Sequence, residues 1–396
     1  MAKQKYDVVI VGGSFAGCVA GKVAAEKGLD ALIVERTEVP GEKVISGAGM
    51  STMVFQELPW LMEGPLVQPV TGFITHFLKH GQVQTTVKVQ HQVPDSYTIY
   101  CRPFITWMAE QAVKAGAKLM TSTVATDVIK AKGFINGILT DAGEEIRSDI
   151  VIAADGMWSL IGIKAGIRKK IAAEDIMHGL WLDFVMPSKE DLDKALEGDN
   201  AMIWWDPAGE MLSPHGIVGY FGVGPYNGSF HFGMGTVLSH VARKRINYDQ
   251  LYEQFFQHDY WKERFGKAKL RCRMWRPYPI YAGLDMDLKG NDRTYGNGIM
   301  IVGDAACFEA TATGLGIHTA MISGSIAAGV AADAIGEGDP SAAFLKRYEE
   351  LWRSSVIGQS IKERARRDLT RYAGDEAQMK RRILDVYIMP YIEAVF

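Results

Sequence analysis

Unbroken apolar runs followed by glycine-containing turns organise the first part of the chain. Residues 7–11 and 31–34 are runs of this kind, which are typical of parallel strands buried on both faces. Between them, residues 18–27 have the pattern of a helix that ends at Gly28. Further strands of the same sheet are predicted by the runs at 117–120, 123–129, 145–153 and 299–302.

Residues 70–100 differ, because apolar and polar side chains alternate along them. This alternation predicts a hairpin that turns at His80 and Gly81. From 175 to 280 the chain is rich in aromatic residues. Strand-like runs are found there at 179–184, 202–205, 216–223 and 228–235, and helix-like segments at 188–197 and 248–266. We expect an antiparallel sheet with one apolar face over a pocket.

Aromatic side chains of this second sheet are candidates for a substrate pocket. The alternative for each of them is a place in the core of the sheet. The candidates are Trp204, Trp205, Tyr220, Phe221, Tyr226, Phe230 and Phe232.

The pattern as a whole predicts an α/β protein in which a Rossmann-like FAD-binding domain carries an inserted antiparallel-sheet substrate domain and a helical C-terminal tail. The expected FAD-binding domain is discontinuous and comprises 1–72, 98–172 and 281–336. The substrate-binding sheet domain comprises 73–97 and 173–280. The helical segment, 337–396, carries an excess of Lys and Arg and an apolar end. It is a candidate for peripheral contact with an anionic membrane, the alternative being a solvated helix face that caps the domain.

Composition narrows the classes of function. The 396 residues suffice for two domains, and a net charge of −3 gives no reason to expect a nucleic-acid partner. The four cysteines are far apart in sequence, so we expect no metal site. The N-terminus leads directly into a strand rather than resembling a signal peptide, and we predict no transmembrane helix. These features predict a cytoplasmic protein.

The turn after the first strand matches a dinucleotide-binding fingerprint with one departure. Such a fingerprint has glycine at its first, third and sixth positions and an acidic residue further on. Here the three positions hold Gly12, Ser14 and Gly17, and Glu35 is the acid that would bind the ribose hydroxyls. A plain βαβ unit with a tight turn is the alternative. The full set expected to contact the cofactor here is Gly12, Gly13, Ser14, Phe15, Ala16, Gly17, Glu35 and Arg36.

Later segments supply the other half of the cofactor site. Asp155–Gly156 and Gly303–Asp304 place carboxylates where parallel strands end, and a glycine-rich helix start lies at Gly314, Leu315, Gly316 and Ile317. We expect Asp304 to accept hydrogen bonds from cofactor hydroxyls. Arg102 could meet the pyrophosphate or the ribityl chain, the alternative being a surface arginine that pairs with Glu110 or Asp127. The remaining candidates are Ser46, Gly47 and Val124.

The order of these motifs resembles the FAD-dependent enzymes of the p-hydroxybenzoate hydroxylase fold, over residues 6 to about 335. Within that fold, the segments at 45–48 and 316–324 are similar to the geranylgeranyl reductases and to the electron-transfer-flavoprotein:quinone oxidoreductases. The latter carry an iron–sulfur cluster near the C-terminus. No cysteine follows Cys307, which excludes such a cluster here.

The resemblance implies an FAD-dependent oxidoreductase that delivers hydride from reduced flavin to a carbon–carbon double bond of an apolar, isoprenoid-type substrate. NAD(P)H or a protein would supply the electrons. By residue type, His318, Tyr220, Tyr226 and His231 are candidates for the proton donor. Two alternatives remain at this point. One is an aromatic monooxygenase that uses NAD(P)H and oxygen, and the other is a cluster-free quinone oxidoreductase.

Overall fold

The computed structural model describes residues 5–44, 47–79, 82–90, 92–173, 176–196, 202–206, 221–223, 228–279, 293–308 and 316–366. Within these ranges the chain has the expected α/β architecture. A mixed, largely parallel sheet carries the N-terminal turn, and further sheets stand beside it.

The first sheet has eight strands and contains a parallel core. Its order is β17-β18-β11-β1-β2-β8, and the pairs from β18 to β8 are all parallel. The hairpin β9–β10 extends it antiparallel from β11, and β17 is an antiparallel edge strand. The strands are β1 Lys5–Val11, β2 Ala31–Val34, β8 Lys118–Met120, β9 Ala125–Ala131, β10 Phe134–Thr140, β11 Glu145–Ala153, β17 Tyr295–Gly296 and β18 Ile299–Ile301.

Helices pack on this sheet and complete the first core. Helices α1 and α9 pack closely, because a Cβ atom on Gly324 would lie 2.2 Å from the carbonyl oxygen of Ala16. Helix α10 belongs to the same core through the buried side chains of Leu345, Tyr348 and Trp352. The helices are α1 Phe15–Glu26, α2 Met53–Glu57, α3 Cys101–Lys114, α4 Leu160–Ala165, α9 Ile317–Gly336, α10 Ala342–Ser354 and α11 Val356–Arg366.

A three-stranded antiparallel sheet, ordered β3-β7-β4, leads into α3. Its strands are β3 Gly47–Ser51, β4 Leu66–Val70 and β7 Ser96–Tyr100. Gly47 pairs with Tyr100, so the start of β3 lies beside the residue that precedes α3.

The aromatic part of the chain forms two sheets, not one. The first is antiparallel and ordered β15-β12-β16, and helices α5 to α8 accompany it. The second is ordered β14-β13-β5-β6 and includes a parallel pair, β13 with β5, so the expected antiparallel sheet is partly mixed. The elements are β5 Gly72–Lys79, β6 Gln82–Gln90, β12 Ile176–Val185, α5 Lys189–Ala195, β13 Met202–Asp206, β14 Phe221–Val223, β15 Ser229–Val237, α6 Leu238–Lys244, α7 Tyr248–Gln257, α8 Asp259–Phe265 and β16 Lys269–Pro279.

Helix α9 is the one described helix that is long and apolar enough to cross a membrane by length and composition. Of its most apolar window, 61% is buried inside the protein, as is common for the core helix of a globular fold.

Candidate active site

The site begins where the central parallel strands end. Gly12 follows β1, has a φ of +106°, and donates its N–H to the carbonyl oxygen of Val34 at 2.8 Å. A Cβ atom at Gly12 would stand 2.3 Å from the Ala154 carbonyl oxygen, and one at Gly17 would stand 1.8 Å from the Gly12 carbonyl oxygen. Only glycine fits either position. The turn therefore lies in the crevice between β1 and β11. The strand order runs in opposite directions on the two sides of this crevice, and ligands usually bind at such a point in parallel sheets.

Glu35 is bound to the glycine turn itself. Its Oε2 atom accepts the N–H of Gly13 at 2.7 Å, and its Oε1 atom accepts the N–H and the hydroxyl of Thr37 at 2.9 and 2.8 Å. The side chain is buried. Each carboxylate oxygen can accept more than one hydrogen bond. The acid therefore shapes the turn and retains acceptor capacity for ribose hydroxyls.

Two residues near Glu35 that were predicted to contact the cofactor are accessible to solvent. Arg36 and Val124 are both exposed. They lie near one another because the Thr123 N–H donates to the Glu35 carbonyl oxygen at 3.0 Å. An exposed valine beside an exposed arginine leaves this end of the groove accessible to a planar base.

Two residues of the turn pack inward. Phe15 lies 6.4 Å from the ring of Phe104 between centroids, and the Ala16 carbonyl faces Gly324. Both side chains are buried, so a ligand at this turn would meet these two residues through their backbone N–H groups. Ser14 precedes α1 as its N-cap residue and makes no side-chain capping bond.

Asp155, at the end of β11, holds the turn that follows it. Its carboxylate accepts the Ile161 N–H at 2.8 Å and the Ser159 hydroxyl at 3.2 Å. Ser159 itself has a φ of +38°. Burial raises the pKa of Asp155, and these hydrogen bonds and the charge of Arg168 oppose that rise. The carboxylate thus makes the cofactor edge rigid as well as negative.

Arg168 lies behind that turn and was not among the residues predicted from the sequence. Its side chain is buried and donates to the carbonyl oxygens of Met157 at 2.9 Å and Lys169 at 3.3 Å. Gly162 makes room for it, since a Cβ atom there would lie 3.0 Å from the Cβ of Arg168. A lone arginine in a basic stretch gives no sequence signal for this role.

Asp304 is the least satisfied carboxylate at the sheet edge. Over the residues that the structure describes, no side chain or backbone group donates a hydrogen bond to it. Burial raises the pKa of Asp304, while the charges of Arg276 and then Arg168 oppose the rise. Gly303, before it, is fixed by donating its N–H to the Ser323 hydroxyl at 3.0 Å.

The N-terminus of α9 lies close to the Gly303–Ala306 turn. The Thr319 hydroxyl contacts the carbonyl oxygens of both Phe308 and Gly316 at 2.8 Å, which joins the two segments. The first N–H groups of a helix lack intrahelical partners and carry partial positive charge. Ile317 therefore begins a site suited to an electron-rich atom. The predicted contacts Gly314 and Leu315 lie outside the described residues.

The described residues fit FAD on two observations. Asp304 is a partly buried carboxylate to which none of the described residues donates a hydrogen bond, and a ribityl hydroxyl would supply one. The backbone at Gly12 and Gly17 leaves no space for a side chain, which suits close approach of a pyrophosphate.

Arg102 stands exposed in the first turn of α3. Asp127 pairs with Lys164 at 3.0 Å, so the surface pairing weighed for Arg102 with Asp127 is not formed. Phe104, two residues further along the helix, lies close to Phe15 at the start of α1. Residues two apart in a helix point in nearly opposite directions, so this contact does not place the Arg102 side chain at the glycine turn. Of the two further predicted cofactor contacts in this part of the chain, Gly47 is buried in β3, and Ser46 lies outside the described ranges.

Two histidines of the site are neutral. Burial lowers the pKa of His318 to about 4. Burial, together with the charge of Arg276, lowers the pKa of His231 to about 3. Nδ1 of His318 has no hydrogen-bond partner within the described part of the chain. Neither ring carries a proton to give as imidazolium at neutral pH.

Phe230 and Phe232 do not line a pocket, contrary to expectation. Both are fully buried in the second core, where Phe230 stacks on Phe184 at 5.3 Å and Phe232 meets Trp261 at 4.7 Å between centroids. Strand side chains alternate between faces, so these two point to the helices. Their neighbours Ser229, His231, Gly233 and Gly235 point the other way.

That opposite face of the sheet β15-β12-β16 is called the inner face here. On it the Trp181 indole lies over two glycines, because Cβ atoms at Gly179 and Gly233 would stand 2.1 and 2.5 Å from its ring atoms. Tyr278 meets Trp181 edge-on at 6.3 Å. Trp181 is a buried aromatic residue of the inner face, and it was not among the aromatic residues predicted from the sequence. The predicted Trp204, Trp205 and Phe221 lie on β13 and β14, and Tyr220 and Tyr226 lie outside the described residues.

A polar cluster at one end of the inner face was also missed. The buried Asp183 accepts a 2.7 Å hydrogen bond from Nε of Arg271. Arg271 stands over the Tyr100 ring at 5.4 Å, and the Tyr100 hydroxyl contacts that of Ser229. Burial raises the pKa of Asp183, and Arg271 opposes the rise. The cluster joins the inner face to β7.

Comparisons with known proteins agree with this geometry. Residues 5–361 match the model of the FAD binding domain family. The chain is 31% identical over 353 residues to digeranylgeranylglycerophospholipid reductase 1 of Methanopyrus kandleri, covering 88% of this chain and 86% of that protein. The corresponding reductase of Methanothrix thermoacetophila is 30% identical over 90% of this chain and 85% of its own length.

Solved structures show the same fold. A geranylgeranyl bacteriochlorophyll reductase-like protein from Thermoplasma acidophilum has a TM-score of 0.74 at 22% identity, with 99% of this chain and 100% of that chain covered. A flavin-dependent brominase has a TM-score of 0.71 at 18% identity, with coverage of 99% and 90%. At these identities the likeness concerns the fold alone.

Proposed function

This chain belongs to the FAD-binding-domain family and, within it, to the geranylgeranyl reductase flavoproteins, and from that premise we propose that it reduces carbon–carbon double bonds in the isoprenoid chains of a digeranylgeranylglycerophospholipid-like substrate. One observation carries the proposal. The alignment with the Methanopyrus kandleri reductase extends over 353 residues, which is more than the nucleotide-binding part contains. The similarity therefore includes the sheets that would hold the substrate.

When bound, FAD supplies the hydride. The chain supplies binding and electrostatics. Glu35 would hold the adenosine ribose, the Gly12 turn and Asp155 the pyrophosphate region, and Asp304 a ribityl hydroxyl. The N-terminus of α9 would stabilise negative charge on the reduced ring, because its free N–H groups and dipole favour an anion.

The proton that completes alkene reduction would not come from an imidazolium. The pKa of His318 is about 4 and that of His231 about 3, so both are neutral at physiological pH. We assign His318 the role of a neutral hydrogen-bonding group near the start of α9. Tyr220 and Tyr226 stay the candidate proton donors.

The inner face would hold the apolar chain. The Trp181 indole is buried over Gly179 and Gly233, and it would form an aromatic wall against which a methyl-branched chain could pack. Side chains on the opposite face of the same strands, such as Phe230, pack in the hydrophobic core.

Electrons would come from NAD(P)H or a protein donor, and the protein would act in the cytoplasm at the membrane that holds its lipid. In the described part of the C-terminal segment, α10 turns an apolar face to the core. This supports a capping role for α10. Peripheral membrane contact would rest on residues 367–396, which lie beyond the described residues.

Anaerobic reoxidation tests the proposal. FAD-loaded protein would be photoreduced, mixed with digeranylgeranylglycerophospholipid in detergent, and followed by flavin absorbance, with mass spectrometry of the lipid. We expect reoxidation with a gain of two hydrogens for each double bond reduced, whereas a lipid with saturated chains should leave the flavin reduced. Reoxidation by a quinone with no change in the lipid would instead indicate the quinone oxidoreductase alternative, and a hydroxylated product formed only with oxygen would indicate a monooxygenase.

A further inference from the structure

The backbone of Gly13 is held from both sides. Its N–H donates to Oε2 of Glu35 at 2.7 Å, and its carbonyl oxygen accepts a hydrogen bond from the thiol of Cys18 at 3.3 Å. Both contacts are buried. The thiol comes from α1, where side chains tilt towards the N-terminus of the helix and so reach back to the turn. Gly13 is therefore fixed between an acid that follows β2 and a thiol of α1.

Cys18 is a hydrogen-bond donor at this position. Its side chain is fully buried, and burial, followed by the charge of Glu35, raises the pKa of the thiol. The thiol is therefore protonated, and a protonated thiol can donate to a carbonyl oxygen. The Cys18 N–H donates separately to the carbonyl oxygen of Ser14 at 2.8 Å. Cys18 thus binds two successive carbonyl groups of the glycine turn.

The Gly13 carbonyl sets the direction of the next N–H group. In a planar trans peptide the C=O and N–H groups point in opposite directions. Because the Gly13 carbonyl points to the Cys18 thiol, the Ser14 N–H points away from α1, on the side where β1 ends. Ser14 has a φ of −102° and a ψ of −161°, an extended conformation that any residue can adopt. Serine at the third position of the fingerprint therefore leaves this N–H available to a ligand.

We propose that Cys18 is a positioning residue for the cofactor: its thiol holds the Gly13 carbonyl and so directs the Ser14 N–H at the pyrophosphate of FAD. The proposal rests on the assignment of the cofactor site to this turn, and it does not depend on the identity of the lipid. Phosphate groups bind N–H groups at helix N-termini, because these groups lack partners within the helix and carry partial positive charge.

The test compares Cys18→Ala and Cys18→Ser with Val19→Ala. Val19 is the matched control, because it is the next residue of α1 and is equally buried, and its truncation removes apolar volume but no hydrogen bond. Dissociation constants would be measured for FAD by titration of the apoprotein, and for ADP by competition against FAD. ADP carries the pyrophosphate without the flavin. For Cys18→Ala we expect both constants to rise about three- to tenfold, which corresponds to the loss of one hydrogen bond.

Cys18→Ser keeps a donor on the same side chain and should recover at least half of the lost binding free energy. Val19→Ala should lower the free energy of unfolding in urea without changing either dissociation constant. Wild-type affinities in Cys18→Ala would overturn the proposal. It would also be overturned by a loss confined to FAD, by an equal loss in Val19→Ala, or by a Cys18→Ser variant as weak as Cys18→Ala.

Two further outcomes separate this proposal from the proposed function. Failure of the wild-type protein to bind FAD would overturn the cofactor-site assignment together with the role of Cys18. Failure of the FAD-loaded protein to reduce the lipid would contradict the proposed substrate alone, because the binding constants of FAD and ADP are measured without it.

Discussion

The backbone N–H of Gly13 donates a 2.7 Å hydrogen bond to Oε2 of Glu35, joining the glycine turn after β1 to the acid after β2. Glu35, at the end of the second strand, therefore has a structural role in addition to its expected contact with the ribose. It holds the turn in the shape that receives the cofactor, and Thr37 orients its other oxygen.

Glu35→Ala should weaken FAD binding by roughly ten- to a hundredfold. Hydrogen bonds to a charged group are worth about 1.5–3 kcal/mol, and this change removes those to the turn as well as those to the ribose. Titration of apoprotein with FAD, followed by flavin fluorescence, measures the effect. Glu38→Ala, an exposed neighbour, should bind FAD normally. Normal affinity in Glu35→Ala would contradict this role.

Gly324→Ala should destabilise the fold by about 1–3 kcal/mol through overpacking. The new Cβ would stand 2.2 Å from the Ala16 carbonyl oxygen, so α9 would have to move away from α1. Gly329→Ala is the control in the same helix, because the nearest atom to its Cβ is Lys27 Cε at 3.8 Å. That change should be neutral or stabilising by up to about 1 kcal/mol. Urea unfolding of both variants measures their free energies of unfolding. Equal values would contradict the close packing of α9 against α1.

His318 should make stability fall with acid. Its folded pKa of about 4 lies below the value of about 6.5 for a free imidazole, so between these values the unfolded chain binds a proton that the native protein excludes. Stability should therefore decrease as pH falls through this window. In His318→Asn the slope of unfolding free energy against pH should be smaller by up to about 1.4 kcal/mol per unit. An unchanged slope would mean that the native imidazole titrates normally.

Arg271→Met should cost about 3 kcal/mol at neutral pH, because it leaves the buried Asp183 unpaired. Burial already raises the pKa of Asp183, and loss of the cation would raise it further. The deficit should thus shrink as pH falls and Asp183 takes up a proton. Arg273→Met breaks an exposed pair and should cost less than about 1 kcal/mol. Thermal denaturation at two pH values distinguishes the two variants. A loss of stability in Arg271→Met that does not depend on pH would argue against an ionised Asp183.

Local pattern was enough for the nucleotide-binding elements. The apolar run at 31–34 coincides with β2. Helix α3, Cys101–Lys114, shows local helix signals, because Pro103 lies in its first turn and Gly116 follows its end. The helix after the glycine turn begins earlier than predicted, at Phe15, because Gly17 packs inside its first turn. These are short-range features, which composition and turn residues reveal.

Features that depend on distant segments were not predictable. Alternation along β15 places Phe230 and His231 on opposite faces, although nothing in the strand says which face the helices cover. Arg168 and Arg276 lie far apart in sequence and act on the same carboxylate only through the fold. Trp181 gains its position from glycines on its own strand and on β15.

The location of FAD in a crystal structure of the cofactor-loaded protein tests the central claim most directly. We expect the adenosine ribose beside Glu35, the pyrophosphate at the crevice between Gly12 and Asp155, and the ring between the start of α9 and the inner face, with a ribityl hydroxyl on Asp304. A cofactor bound elsewhere, or one that leaves Glu35 and Asp304 without contact, would contradict this account.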